Sequence, residues 1–396
     1  LLVVGLTAQE REISVAFEDL PRLLEQSSPQ VQIINAMKDI SIAEHDAALQ
    51  WSNPELNFSH EQIKNGDVLE TEQMIYLNKT FTMPWNHWQE SRIWQAETRA
   101  NKLIQKQNMN QLLADTRNSY VRLSLLHNLA HQLTGLKEML NDLNTAVGVR
   151  EKEGAISPLK ASLLSISLFG LESDILETQQ EYHRAVSKWK QILGIDPLQD
   201  INLTDTIIFK NIPIDLTQRQ QLMDNHPGLQ ARKTRVDAED RRITLEKSRI
   251  LPSISLQGGY KKINPGWEGY VVGLSIPLPL LNWNRAQIEK QKIKHHIQAN
   301  ETTTYKQKLH DEIKNLISSI SAKSELLQKN NYGLLNNKIV EDMLAAYREG
   351  ELSLSEFLNA IQIYRTGSRQ YFEQLTAYYR AVFDLEALSG QPLVAF

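Results

Sequence analysis

Apolar side chains recur every three or four positions along most of the chain and every second position in two short stretches. That pattern predicts long helices broken by two strand pairs. One uninterrupted helical stretch runs from Trp85 to Ser157 without a proline. Along it, Tyr120, Leu123, Leu126, Ala130, Leu133, Leu136, Leu140, Leu143 and Val147 form a near-heptad stripe. The stretch would make a helix of roughly 60 residues, about 90 Å long. Ahead of it, Val15, Phe17, Leu20, Leu23 and Leu24 open an apolar-periodic segment. Ser28-Pro29 then starts a helix of about two dozen residues that runs to Trp51 and is ended by Asn53-Pro54. A return helix follows from Ser157 to about Leu193, stopped by Gly194 and Pro197.

The period falls to two between Glu55 and Met83, and again between Ser253 and Leu278. In the first stretch Leu56 and Phe58 alternate with polar neighbours, Asn65-Gly66-Asp67 supplies a turn, and Thr71 to Phe81 reads as a second strand. Lys79 falls on the side expected to be apolar. The second stretch alternates more cleanly. Ile254, Leu256 and Tyr260 interleave with Ser255 and Gln257, and Tyr270, Val272, Leu274 and Ile276 interleave with Val271, Gly273 and Ser275, around an Asn264-Pro265-Gly266 turn. One face is apolar and aromatic, the other small or polar. This suits a barrel wall with lipid outside and water inside, and equally a soluble sheet with one buried face.

Two short segments interrupt the helical periodicity in the same way. Tyr347-Arg348-Glu349-Gly350-Glu351-Leu352-Ser353 and Lys152-Glu153-Gly154-Ala155-Ile156-Ser157 each read as a helix stop followed at once by a helix start. The glycine takes a left-handed C′ position. Ser353 is expected to cap the next helix with Glu356 three residues on, a capping box, and Ser157 to do the same ahead of Pro158. The two glycines lie 196 residues apart. Tyr182-x-Arg184-Ala185-Val186 and Gly194 recur at that same offset as Tyr378-x-Arg380-Ala381-Val382 and Gly390, while Pro29 and Pro54 recur at 198 and Pro84 and Trp88 at 195. The chain is therefore read as an internal duplication, with a first repeat over 9–195, a linker over 196–221 and a second repeat over 222–396. A return helix of ~36 residues and the ~24-residue helix before the strands together match one uninterrupted helix, so stacked end to end they can line it along its length. Four strands cannot close a barrel around a channel, which predicts a symmetric oligomer.

Composition narrows the classes. With 41% hydrophobic and 23% charged residues the chain folds, and its net charge of −4 gives no basic field for nucleic acid. It has no cysteine, which removes disulfides, thiolate metal sites and cysteine nucleophiles. Residues 1–8 read as the remnant of a secretory signal, or as a trimmed strand or helix. No segment has the ~18 consecutive apolar residues of a membrane-spanning helix. His127 and His131 stand at metal-binding spacing but without a carboxylate cluster, and packed or solvated histidines are expected. Adjacent His295 and His296 diverge on a helix. Gly258-Gly259 lies in a strand and lacks the residues of a phosphate loop. Trp85, Trp88, Trp94 and Trp283 near the strand–helix junctions fit either a membrane interface or core packing. Neither metal nor cofactor is expected, and no convergent polar set points to an enzyme.

Leu251-Pro252-Ser253-Ile254-Ser255-Leu256 with Gly258-Gly259-Tyr260, Leu278-Pro279-Leu280 before a long helix, and Tyr347-Arg348-Glu349-Gly350 with Ser353 resemble, in that order and spacing, the TolC-like outer-membrane factors. The resemblance covers nearly the whole chain, and Leu77 to Trp88 looks more like the heavy-metal Cus/Czc-type branch. It implies a mainly helical fold with a small β part: long helical hairpins forming a periplasmic α-barrel, and four strands per chain entering a trimeric 12-stranded outer-membrane β-barrel. It implies a homotrimer in the outer membrane of a Gram-negative bacterium, extending into the periplasm, with outer-membrane lipid around Ile254, Leu256, Tyr260, Tyr270, Val272, Leu274 and Ile276. A periplasmic adaptor would meet tips at Gly154, Ala155, Ser157, Gly350, Leu352 and Ser353, and an RND- or ABC-type inner-membrane pump would supply the cargo.

The same resemblance places Tyr347, Glu356 and Asn359 at the aperture. Leu352 stands where some relatives carry an arginine and Asn359 where they carry a second acid, so a charged latch is at most partly present. Glu356 can also be read simply as the capping-box glutamate. The expected function is a passive channel of a tripartite efflux pump for small solutes, metal ions or drugs, opened like an iris at the tips. The alternatives are an exit duct for protein secretion and a soluble periplasmic coiled-coil scaffold.

Overall fold

The computed structural model describes residues 13–66, 68–214, 219–250, 253–264, 266–329, 337–390 and 393–394. The signal remnant, Asp67, Leu251-Pro252 and Pro265 lie outside them. So do residues 330–336 of the stretch expected as one helix after Trp283.

Among the described residues the chain opens with β1 (Ile13–Val15), a single 3-10 turn (Phe17–Asp19) and helices α1 (Leu20–Ser27) and α2 (Pro29–Ala48). The first strand pair is β2 (Glu55–Asn65) and β3 (Val68–Phe81), followed by α3 (Pro84–Lys152) and the return helix α4 (Pro158–Leu193). After β4 (Ile201–Leu203) come α5 (Arg219–Asn225), α6 (Pro227–Ser248), β5 (Ile254–Ile263) and β6 (Trp267–Ser275). The chain then forms α7 (Arg285–Lys329), α8 (Asn337–Glu349) and α9 (Leu354–Ser389). The uninterrupted helix predicted from Trp85 is α3, 69 residues long. Both return helices have 36 residues and end on a glycine with φ near 70°, Gly194 and Gly390. The fold is mainly helical with a small β part, as expected.

The chain divides into two compact units, and each sequence repeat contributes to both. One comprises Leu1–Ile34, Gln107–His226 and Leu309–Phe396, the other Asn35–Lys106 and Pro227–Lys308.

In the second unit the strands form one antiparallel sheet in the order β2-β3-β5-β6. Tyr260 pairs with Ile75 on one side and Tyr270 on the other, and Leu256 pairs with Lys79 and Leu274. Directly opposed residues share a face. The register therefore gathers Leu56, Phe58, Ile75, Leu77, Leu256, Tyr260, Val272 and Leu274 on one side of the sheet. Gly259 faces the other way, where an added Cβ would lie 2.3 Å from the Ile75 carbonyl oxygen. The helical segments of this unit bury Ile93, Ala100, Ala238 and Leu245 and are also joined by polar contacts. Arg242 pairs with Glu97 at 2.9 Å, Arg249 with Glu90 at 2.7 Å, and Ser248 donates to Asn86 at 2.6 Å. Meanwhile Met37, Ile40, Ile293 and Ile297 stay exposed.

The first unit has an aromatic core. Phe17, Tyr120, Trp189, Tyr378, Tyr379 and Phe383 are all buried. The Tyr120 hydroxyl donates to Asp205 at 2.6 Å, and the Tyr379 and Tyr378 hydroxyls donate to the Ile208 and Lys210 carbonyls at 2.6 and 3.0 Å. These bonds pin the linker between the repeats along the helices. Burial raises the pKa of Tyr120 and Tyr379, so both stay donors. β4, the short strand allowed for in the linker, pairs in parallel with β1, Ile13 opposite Ile201.

The linker also corrects the predicted stripe on α3. Leu125 and Leu129 are buried, whereas Leu126 and Ala130 lie at its flank. At this level Val121, Leu123, Ser124 and Leu125 are all buried, because the linker covers the helix on a second side and Ser124 donates to the Asp205 carbonyl at 3.1 Å. Further along, Leu133, Leu136, Leu140, Leu143 and Val147 of α3 meet Leu164, Leu168 and Leu171 of α4, Val340 and Leu344 of α8, and Leu354, Phe357 and Ile361 of α9 in one apolar cluster. At the other end of α4, the Ser28 and Ser27 hydroxyls donate to the Ile192 and Leu193 carbonyls, each at 2.6 Å. Helix α2 thus begins where α4 ends, in line with end-to-end stacking.

Substituting Gly259 by valine is expected to force β3 away from β5 and abolish the cooperative thermal unfolding of the sheet. Gly258→Ala, whose Cβ would meet nothing within 4 Å, should leave the melting temperature unchanged. Circular dichroism melts of the two variants check this.

Candidate functional site: the hairpin tips and the exposed strand face

The two tips have the same backbone hydrogen bonds, shifted by 196 residues. At the first, Gly154 N donates to Glu151 O, and Ala155 N and Ile156 N to Arg150 O. At the second, Gly350 N donates to Tyr347 O, and Glu351 N and Leu352 N to Ala346 O. Gly154 and Gly350 have φ of 74° and 81°, which a residue with a Cβ resists. Gly154, Ala155, Ser157, Gly350 and Ser353 are exposed and Leu352 is half-buried.

The helix starts differ. Ser353 accepts from the Glu356 N–H at 3.3 Å, and the Glu356 carboxylate accepts from the Ser353 N–H at 2.8 Å, a complete capping box. Ser157 occupies the N-cap of α4 with extended backbone, but its side chain makes no cap bond. The expected cap is therefore absent there. The residue at N3 is Lys160, which cannot return the second bond of a capping box, and only the Ser157 carbonyl is engaged, accepting from Lys160 N at 2.9 Å.

The aperture candidates occupy three settings. Tyr347 is half-buried with its ring 5.4 Å from that of Phe357. Glu356 is exposed, and its carboxyl is held below the usual range by the Ser353 N–H. Asn359 is exposed one turn further on. Among the described residues no hydrogen bond or ring contact joins the three to one another. Sequence reasoning missed the residues that fix this corner, above all Phe357 and the pair of Arg365 with Asp174. The only signals were an apolar residue beside the capping glutamate and single charges set within an apolar stripe.

On the strand face, Leu256, Tyr260, Tyr270, Val272 and Leu274 are exposed and Ile254 is half-buried; Ile276 is exposed just past β6. Tyr270 and Val272 are 90% and 86% accessible, so no described residue covers them. From the row of Phe81 and Ile254 to the row of Ile75 and Tyr260 the apolar band is about 20 Å tall. Beyond it, His60, Gln73, Lys262 and Glu268 form a polar row. Lys79 lies inside the band, one row in from Phe81, with its ammonium reaching the Ser52 carbonyl and lying 5.9 Å from the Phe81 ring centre. The opposite face carries Asn57, Asn78, Gln257 and the ion pair of Lys261 with Glu72, along with Tyr76 and Val271. Trp85, Trp88 and Trp283 are exposed and Trp94 is half-buried, so core packing does not account for the first three.

His127 and His131 are exposed, and among the described residues no group of three or more His, Asp or Glu side chains could hold a metal ion. No described helix is long and apolar enough to cross a membrane.

The capping box yields a pH prediction. Because the folded-state pKa of Glu356 is depressed, its contribution is present above the ordinary glutamate pKa and is lost as pH falls through the lower folded value. The melting temperature of Glu356→Ala should therefore trail the wild type at neutral pH, with the gap closing only below the usual carboxylate range. Ser353→Ala should cost about 1 kcal/mol at neutral pH. Thermal melts across a pH series measure both.

The family described as outer membrane efflux protein matches residues 219–391. No curated protein sequence matches. Among solved structures, the outer-membrane channel OprN superposes with a TM-score of 0.79 at 16% identity, covering 94% of this chain and 89% of its own. CusC gives 0.77 at 16% identity, covering 95% and 92%, and the outer membrane protein VceC of Vibrio cholerae gives 0.76 at 13% identity, covering 94% and 96%. Residues 219–391 are thus similar to the outer membrane efflux protein family, and along nearly its whole length the chain has the fold of these outer-membrane channels.

Proposed function

We propose that the chain is one subunit of a trimeric outer-membrane efflux channel that extends into the periplasm, passive in itself and served by a pump of the inner membrane. One observation carries the reading: a four-stranded sheet with an exposed apolar band on one face, a mostly polar opposite face and two unpaired edges, β2 and β6. In antiparallel pairing about half the residues of each edge strand direct their backbone groups outward. Each group left unpaired in hydrocarbon costs several kcal/mol, so an open edge costs tens. A soluble scaffold would avoid that cost but would leave Tyr270, Val272 and Leu274 in water for no gain. Pairing β6 of one copy with β2 of the next satisfies both edges. Three copies of four strands make the 12-stranded closure expected from the sequence.

The remaining roles follow from placement. Ile254, Leu256, Tyr260, Tyr270, Val272, Leu274 and Ile276 face lipid, and exposed Trp85, Trp88 and Trp283 suit the interface. Gly154, Ala155, Ser157, Gly350, Leu352 and Ser353 offer an adaptor's helical hairpins a docking rim. Tyr347, Glu356 and Asn359 line the aperture. The pump, of RND or ABC type, selects the solute, metal ions or drugs; an exit duct for secreted protein is the alternative cargo.

The protein should require detergent for extraction, sediment as a trimer and conduct in planar bilayers, with Tyr347→Phe and Glu356→Gln shifting the conductance. A chain that purifies as a monomer without detergent would overturn the channel. Deletion should sensitise the host either to copper, zinc and cobalt or to dyes and antibiotics, and which of the two it is identifies the cargo.

A further inference from the structure

Helices α2 and α3 run side by side in the second unit. Asn101 Nδ2 donates to Ser41 Oγ at 2.7 Å, and Gln105 Nε2 donates to Asn35 Oδ1 at 2.8 Å. Another flank of α3 holds α6, through Arg235 to Asn101 and Arg242 to Glu97, both at 2.9 Å. Between α2 and α3, Ile42, His45, Gln95, Thr98, Arg99 and Lys102 line an open groove of about 420 Å³.

The polar groups of this groove are unmatched. No carboxylate lines it, and among the described residues neither Arg99 nor Lys102 is in an ion pair. His45 Nε2 and Thr98 Oγ1 are shut off from solvent without a hydrogen-bond partner among the described residues. Other hydroxyls of α3, on Thr116, Ser119, Thr134 and Thr145, donate to the carbonyl four residues back, and that of Thr98 does not. His45 Nδ1 lies 2.9 Å from Asp46 Oδ1, so the neutral ring keeps its proton there and Nε2 holds a lone pair. Helix pairing does not require this set. At the equivalent positions of the second repeat, offset by 198 on α6 and by 195 on α7, Ile243, Ile293 and Ile297 replace His45, Thr98 and Lys102.

We propose that the groove binds a phosphate group. Lys102 supplies a point charge, and the Arg99 guanidinium spans two phosphate oxygens. The Thr98 hydroxyl donates to a third. A protonated phosphate also carries a P–OH that donates to His45 Nε2, whereas a carboxylate has no such proton and would leave that nitrogen unpaired. Both side chains line the groove, so a change of rotamer at Thr98 and a turn of the His45 ring present the two atoms to the guest. Thr98 stands about 21 Å along α3 from Pro84, at ~1.5 Å per residue. A lipid headgroup beside the strands would have to reach that far, and a soluble phosphate has no such limit. The site does not depend on the channel reading.

The test is isothermal titration of the purified full-length protein in detergent with inorganic phosphate and with glycerol phosphate. Arg99→Gln and Lys102→Gln, both at exposed positions, should each weaken binding about tenfold. Thr98→Val should weaken it severalfold without lowering the melting temperature, and Lys106→Gln, one turn on, should leave it unchanged. Competition by vesicles of phosphatidic acid in phosphatidylcholine, but not of phosphatidylcholine alone, would make the guest a lipid headgroup. Lack of competition would make it a soluble ion or ester, and either result upholds the site. Acetate binding as tightly as phosphate would overturn the assignment. So would undiminished affinity in both Arg99→Gln and Lys102→Gln, or no binding of either phosphate by titration and phosphorus NMR. Conductance plays no part in these outcomes, so the site and the channel can fail separately.

Discussion

A backbone N–H or C=O at the rim of a sheet must find a partner, and among the described residues no strand supplies one for the outer edges of β2 and β6. The exposed apolar band makes the demand severe, since the environment that suits Tyr270 and Val272 is one in which water cannot do the pairing. The same logic extends to the helices of that unit. They are joined by Arg242–Glu97 and Arg249–Glu90 while Met37, Ile40, Ile293 and Ile297 point away. A single copy thus leaves both sheet edges and much apolar surface for others, the reverse of a self-sufficient domain.

What the sequence made legible was local. Gly154, Gly194, Gly350 and Gly390 announce left-handed helix ends because few other residues tolerate that geometry, and all four adopt it. The strand pairs were readable because a period of two cannot be mistaken for one of 3.6 over ten residues. Contacts far apart in sequence escaped. Tyr378 stood out only as a marker of the repeat and Tyr379 not at all, yet their hydroxyls hold the backbone of the linker about 170 residues earlier. That linker in turn moved the buried stripe of α3 onto Leu125 and Leu129. At Ser157 the Lys160 N–H goes to the serine carbonyl and the side chain makes no cap bond, and lysine at N3 cannot complete a capping box.

Duplication explains much of the architecture, and departures from it show where the two halves have diverged. Glu356 stands where the first repeat has Lys160, and Arg365 where it has Phe169. Phe169 is exposed whereas Arg365 is buried, so hydrophobicity alone would have ranked the two positions the wrong way round. The outcome depends on the neighbour. Arg365 has Asp174 and the gap at Gly170, and Phe169 has neither.

Lys79 carries a last consequence. It interrupts an otherwise apolar row of β3, yet its stem lies along the band while its ammonium reaches back to the Ser52 carbonyl beside the Phe81 ring. A charge so tethered has an acceptor of its own, so it stands within an apolar face without leaving an unsatisfied group. The apolar rows tolerate one cation because the chain just ahead of β2 supplies that acceptor.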